Sequence, residues 1–226
     1  MSITENIEKI ANTLPAHVRL IAVSKTKPVE AIEEAYRWGQ RAFGENKVQE
    51  LVKKQGLLPK DIEWHLIGHL QTNKVKEVVP VVTLIHAVDS LKLLSVINRE
   101  ANRVGRIIDC LLQFHIAEES TKFGLSEAEA IELLESDIYR EMQYIRITGV
   151  MGMATYTEDE GQIRREFHGL REIYEKLKRD YFPTEVSFRE ISMGMSGDYP
   201  IAVEEGSTMV RIGSSIFGER DYNKPE

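Results

Sequence analysis

The chain has 226 residues, of which 42% are hydrophobic and 29% charged, with a formal net charge of −7. That describes a folded chain able to bury a sizeable core, and its acidic balance argues against broad nucleic-acid binding. A single cysteine, Cys110, excludes an intrachain disulfide and sits in an apolar run as a small hydrophobe. No apolar stretch approaches the ~20 residues of a membrane span, and the N-terminus lacks the basic and apolar regions of a signal peptide. The expected location is the cytoplasm, and the expected organisation is one domain over residues 1–226.

In chain order, the pattern opens with a helix over residues 2–13 and a strand over 18–24. Pro28 starts a helix running to Trp38, with Val29, Ile32, Ala35 and Tyr36 on one face and Gly39 as its stop. Strands follow at 41–44, 63–67, 82–87, 107–115, 145–151, 186–191 and 209–212. Helices follow them at 47–55, 72–79, 90–104, 126–135, 158–179 and 199–204, with a last helical turn at 214–217. Ser126 and Glu129 read as a capping box. Ile163, Phe167, Leu170, Ile173, Tyr174 and Leu177 form a core-facing stripe, and Trp38 is expected to pack between helix and strand.

Eight strands, each followed by helix, fit an α/β fold of the (β/α)8 TIM barrel type, though such barrels usually run to ~250 residues. A doubly wound open sheet is the other arrangement this alternation allows. Near-continuous apolar runs such as Ile-Ile-Asp-Cys110-Leu-Leu-Gln-Phe suit strands covered on both faces.

In a barrel the residues just past each strand converge on one pocket. After the first strand comes Lys25. A lysine there, among apolar walls and other cations, loses proton affinity and can attack an aldehyde to form a Schiff base. After strands seven and eight come two small-residue loops, Ser192-Met-Gly-Met-Ser196-Gly and Gly213-Ser-Ser215. Glycines allow close backbone approach, and adjacent amides and hydroxyls donate to an anion such as phosphate. Lysine and phosphate cradle together suggest a phosphorylated aldehyde. Pyridoxal 5′-phosphate (PLP) meets both demands, as does a sugar phosphate in an aldolase. Arg211 favours the first, because a permanent guanidinium against the pyridine nitrogen keeps that nitrogen unprotonated. An aldolase needs a carboxylate acid–base near its lysine, for which Glu45 and Asp89 are the candidates. His65 and His69 have a metal-ligand spacing, but no third ligand is evident and a structural role is expected. Glu118 and Glu119 read as a solvated pair.

The chain resembles the pyridoxal phosphate homeostasis protein family, relatives of the N-terminal barrel of alanine racemase. The carrying motifs are Ala22-Val-Ser-Lys25-Thr-Lys-Pro28, Phe43-Gly-Glu-Asn46-Lys-Val-Gln-Glu50 and Trp64-His-Leu-Ile-Gly-His69-Leu-Gln-Thr-Asn-Lys74, then Ser192-Met-Gly-Met-Ser196 and Val210-Arg-Ile-Gly213-Ser-Ser-Ile-Phe-Gly218. The resemblance implies a lysine Schiff base at Lys25, phosphate contacts at Ser192, Gly213 and Ser214, and Arg211 facing the pyridine nitrogen. It places Asn46 near the ring, Met153 where the racemase has a histidine, and Lys122 where it has an arginine. The racemase carries a second, β-rich domain that donates a tyrosine as second base, whereas this chain stops at Glu226, soon after the eighth strand. The resemblance therefore implies a monomeric PLP carrier or buffer, serving PLP-dependent apoenzymes, without established turnover. A weak PLP-dependent racemase is the alternative, and a Schiff-base aldolase a third reading.

Overall fold

The computed structural model describes residues 2–118 and 123–219. Eight parallel strands close into a barrel in sequence order, with the first paired to the last. They are β1 (Arg19–Val23), β2 (Ala42–Glu45), β3 (Glu63–Leu66), β4 (Leu84–Val88), β5 (Ile108–Gln113), β6 (Ile145–Met151), β7 (Glu190–Ser192) and β8 (Met209–Ile212). The helices are α1 (Ile3–Ala11), α2 (Val29–Trp38), α3 (Val48–Leu57), α4 (Val75–Val78), α5 (Leu91–Arg103), α6 (Glu127–Glu135), α7 (Asp137–Arg140), α8 (Glu160–Asp180), α9 (Tyr199–Glu204) and α10 (Ser214–Phe217). Among the described residues, no helix is long and apolar enough to cross a membrane.

The barrel follows from side-chain alternation along each strand. One set of residues meets inside: Ile21, Ala42, Leu84, Leu111, Met151 and Met209. The other set, including Ala22, Phe43, Trp64, Cys110 and Ile191, packs outward against the helices. The α8 stripe supplies Ile163, Phe167, Leu170 and Leu177 to that layer, all buried, with Ile173 and Tyr174 at its edge. Each such burial contributes roughly 1.5–3 kcal/mol before the cost of ordering the chain. At the amino-terminal mouth, Arg146 grips Asp109 with two bonds of 2.7 and 2.9 Å, and Arg19 pairs with Glu63.

Boundaries shift where local chemistry overrides periodicity. The seventh strand begins at Glu190 instead of 186, because Val186 is exposed and Phe188 turns away to stack on Phe182 and Tyr174. The helix expected at 72–79 divides into a tight 3-10 turn, Thr72–Lys74, and the short α4. Helix α7 was not foreseen. Its start is set by Ser136, whose hydroxyl accepts the Tyr139 amide. Trp38 is not sandwiched between layers; at the end of α2 it is 37% exposed.

Two histidines occupy the barrel interior. His65 Nδ1 lies 2.8 Å from His86 Nε2, and His86 Nδ1 lies 2.9 Å from Ser192 Oγ. Both rings are fully buried. Burial, then the Arg19 charge, lowers the His65 pKa to about 3. Burial, then the charges of His65, Arg211 and Arg19, holds His86 well below its ordinary value.

Both folded histidines therefore refuse a proton that the unfolded chain accepts below about pH 6.5. Their contribution is complete above that pH and declines as pH falls, by about 1.4 kcal/mol per pH unit for each ring. Between pH 6.5 and 5 the pair should remove about 3–4 kcal/mol of unfolding free energy. Urea titrations at the two pH values measure this, and equal midpoints would mean the rings are not held neutral. A second expectation concerns glycine. A Cβ at Gly149, where β6 shifts register against β5, would lie 1.8 Å from the Glu190 carbonyl oxygen. Gly149→Ala should cost about 3 kcal/mol or more, since backbone cannot step aside. Gly169 within α8 has open space around it. Gly169→Ala should stabilise by about 0.5–1 kcal/mol through helix propensity. Denaturation midpoints of the two variants should move in opposite directions.

Candidate functional site

At the carboxyl ends of the strands the barrel opens into a cavity of about 1060 Å³. Lys25, Asn46, Met153, Arg211, Gly213 and Ser214 all line it, so six of the seven expected cofactor residues meet in one place. Two smaller cavities, of about 360 and 320 Å³, lie elsewhere, the latter at the opposite mouth beside Arg19 and Arg146.

Lys25 lies two residues past the end of β1, after Ser24. The next residue, Thr26, has φ +64°, a left-handed conformation that strains a β-branched side chain. Its amide donates to Glu50 Oε1 at 2.6 Å. Behind the strand, Lys54 Nζ donates to the Ser24 carbonyl (2.8 Å), Glu45 Oε1 (2.8 Å) and Glu50 Oε1 (2.6 Å). Ser24 Oγ donates to the same Glu45 oxygen at 2.6 Å. Glu45 is fully buried and its Oε2 has no partner. Burial raises its pKa, against the opposing pull of Lys54. Glu45 thus faces the helix layer and does not line the cavity.

Arg211 projects from β8 into the cavity floor. Its Nη1 donates to Ser192 O at 2.8 Å and Ser192 Oγ at 2.6 Å, and its Nη2 to Gly152 O at 3.0 Å. Those three bonds fix the plane of the guanidinium. Burial lowers its pKa to about 10, which Asp198 opposes, so it is a cation at neutral pH.

Ser192 is the seventh expected residue, and the structure places it differently. It is fully buried, does not line the cavity, and divides its hydroxyl between Arg211 and His86. Its strand position turns the side chain into the barrel, below the loop, away from the cavity where the sequence led it to be expected. Ser192 Oγ accepts from Arg211, which only donates, and its contact with His86 Nδ1 continues the line through His86 Nε2 to His65 Nδ1, where His65 Nε2 ends it without a partner.

The serine of the seventh loop that lines the cavity is Ser196. Its Oγ lies 3.4 Å from the Gly213 amide and 3.5 Å from the Ser215 amide, and it lines the cavity beside them. The motif Ser192-Met-Gly-Met-Ser196 contains both serines; β7 ends at Ser192, whose hydroxyl is engaged by Arg211 and His86, and Ser196 lies in the loop beyond it. Asp198 holds this loop by accepting the Met195 amide at 2.6 Å. Burial raises its carboxyl pKa.

The remaining candidates separate cleanly. Asp89 does not line the cavity, and its carboxylate lies 3.3 Å from His69 Nδ1. His69 stacks on Phe123 at the rim, with ring centroids 4.0 Å apart. Its partner in the proposed spacing, His65, points the other way into the barrel core. Among the described residues no three His, Cys, Asp or Glu side chains converge as a metal site. Glu118 is exposed, as expected of a solvated residue, while Glu119 and Lys122 lie outside the described residues. Sequence reasoning missed Glu50 and Lys54. Their spacing of four on α3 reads as an ordinary surface pair, and nothing in it signals a buried ammonium.

Comparison with known proteins agrees with this geometry. Residues 1–221 match the family described as alanine racemase, N-terminal domain. The pyridoxal phosphate homeostasis protein of Aquifex aeolicus is 40% identical over 205 residues, covering 90% of this chain and 88% of that one. PipY of Synechococcus elongatus, solved with PLP bound, superposes with a TM-score of 0.84 at 36% identity, over 96% of this chain and 100% of that one. An alanine racemase from Clostridium difficile shares the fold at a TM-score of 0.77 and 17% identity, over 98% of this chain and 61% of that one. With matches of this extent, the chain belongs to the alanine racemase N-terminal domain family, among its pyridoxal phosphate homeostasis proteins.

Proposed function

We propose that this protein binds PLP reversibly through Lys25 and serves intracellular PLP homeostasis as a single barrel domain over residues 1–226. The observation that carries the reading is a shared cavity. One opening brings together an amine (Lys25), a fixed cation (Arg211) and a donor cluster suited to an anion (Ser196, Gly213, Ser214 and Ser215). The PLP-bound PipY relative supports it. The residues present fit the cofactor, because an amine, anion donors and a fixed cation in one cavity are complementary to its aldehyde, phosphate and ring nitrogen.

When bound, PLP supplies an aldehyde carbon that condenses with an amine and releases one water. Lys25 provides that amine. Ser196 and the Gly213–Ser215 amides offer hydrogen bonds to a phosphate at the mouths of two loops. Asn46 and Met153 line the remaining walls, where a flat ring would lie. Arg211, held by Ser192 and Gly152, is a fixed cation that only donates; facing the ring nitrogen it would disfavour protonation there and so weaken the ring as an electron sink. A site so arranged retains the cofactor without driving bond cleavage on an amino acid. The matching location is the cytoplasm, the matching state a monomer, and the acceptors PLP-dependent apoenzymes.

Lys25→Ala should abolish borohydride trapping of PLP on the protein while leaving non-covalent binding measurable by equilibrium dialysis. Continued trapping in that variant would sink the assignment of the lysine. Ser196→Ala should weaken PLP binding by about tenfold, the loss of one charge-assisted hydrogen bond. Affinity equal to wild type would show that the phosphate lies elsewhere. With wild-type protein saturated with PLP, L-alanine in deuterated water should keep its α-proton signal beyond the background of PLP alone. Sustained loss of that signal would instead make the protein a racemase.

A further inference from the structure

The backbone around Lys25 is held from behind the strand. The peptide group before it is held through the Ser24 carbonyl, which accepts Lys54 Nζ at 2.8 Å. The peptide group after it is held through the Thr26 amide, which donates to Glu50 Oε1 at 2.6 Å. Lys54 joins the two, because its ammonium also meets that same Glu50 oxygen and Glu45 Oε1. One buried cation therefore ties down both peptide planes of the lysine.

Each part of this arrangement is unfavourable on its own. Lys54 and Glu45 are almost fully buried, and a desolvated ion pair is often no more stabilising than an apolar pair of the same volume. Glu45 Oε2 is left without a hydrogen bond. Thr26 adopts a φ of +64°, which a β-branched residue rarely accepts. Strain of this kind persists where surrounding contacts over-determine it, and here it falls on the residue adjoining Lys25. A cluster serving only to dock α3 on the barrel would not need to grip the backbone at residues 24 and 26.

We propose that Lys54, Glu45 and Glu50 are positioning residues that fix the backbone around Lys25, so that its amine enters the cavity along one direction. The inference rests on the reading of Lys25 as the attachment point for PLP. The three side chains touch neither the cavity nor its contents and act through the strand end alone.

Glu50 is the partner to remove first. Its side chain is partly exposed, and its loss leaves the Lys54–Glu45 pair intact, so the fold survives. In unliganded Glu50→Ala, the Thr26 amide should exchange with solvent at least tenfold faster than in wild type. With PLP, borohydride-quenched trapping on Lys25 should slow by about tenfold. Binding of deoxypyridoxine 5′-phosphate, which lacks the aldehyde, should stay within threefold. Glu50→Gln keeps an oxygen acceptor for the Thr26 amide and should return trapping to within threefold of wild type. Trapping in Glu50→Ala slowed by threefold or less overturns the proposal. So does unchanged Thr26 exchange, or an equal loss of analogue binding, which marks a deformed pocket. Wild-type protein that is not trapped at Lys25 overturns the PLP reading itself and is told apart by that control.

Discussion

Alternation along eight parallel strands is the constraint on which everything else here depends. In a closed barrel each residue faces either the lumen or the helices, and no third option exists. On β8 that rule sends Met209 into the interior cluster and Arg211 to the cavity above it. On β1 it sends Ile21 inward, with Lys25 reaching the cavity two turns of the pleat later, while Ser24 faces Glu45 and Lys54 outside. The cavity is consequently supported by two polar networks that never meet. One runs down the lumen from Arg211, and the other stands between strand and helix behind Lys25.

Both networks place charge in a medium that penalises it. Arg211 is almost wholly buried with only Asp198 to oppose the desolvation, and Lys54 and Glu45 form an ion pair out of contact with water. Each network also ends in one unsatisfied atom, His65 Nε2 in the first and Glu45 Oε2 in the second. A core selected for stability alone would replace such groups with apolar side chains. Their presence at the two ends of the same cavity fits a site whose geometry is maintained at a cost in stability. The rest of the barrel, with its continuous apolar layers, is what supports that cost.

The architecture was legible because it rests on repetition. Eight apolar runs spaced by amphipathic segments specify a parallel barrel, and errors arose only where a local contact outweighed the period. Phe188 left the seventh strand to join an aromatic stack, and Ser136 started a helical turn with a single cap. The cavity wall was also legible, since Lys25, Asn46, Met153, Arg211, Gly213 and Ser214 lie on or just past strand ends. Ser192 and Ser196 were harder. Both belong to one small-residue motif, and telling them apart requires knowing that β7 ends at Ser192 and that its hydroxyl is already engaged by Arg211 and His86. Glu50 and Lys54 were not legible at all. A pair four apart on a helix looks the same in sequence whether water or a strand backbone receives it, and only the packing of α3 against β1 and β2 decides.

The same packing bears on whether the site holds a ligand or transforms one. Transformation of an amino acid requires groups that exchange protons beside the reacting carbon. Glu45 and Asp89 are engaged outside the cavity: Glu45 with Lys54 and Ser24 behind the strand, Asp89 in a 3.3 Å contact with His69 Nδ1. The two histidines of the lumen are kept neutral by burial and lie in one hydrogen-bonded line with Ser192, which ends at His65 Nε2. Arg211 itself only donates. The cavity wall brings together a lysine with a fixed backbone, a cation with a fixed plane and a set of donors for an anion, with His69, Tyr156 and Asp198 beside them. An amine, a fixed cation and a cluster of anion donors sharing one opening suit a ligand that carries both an aldehyde and an anionic group, which is the physical basis of the proposed role.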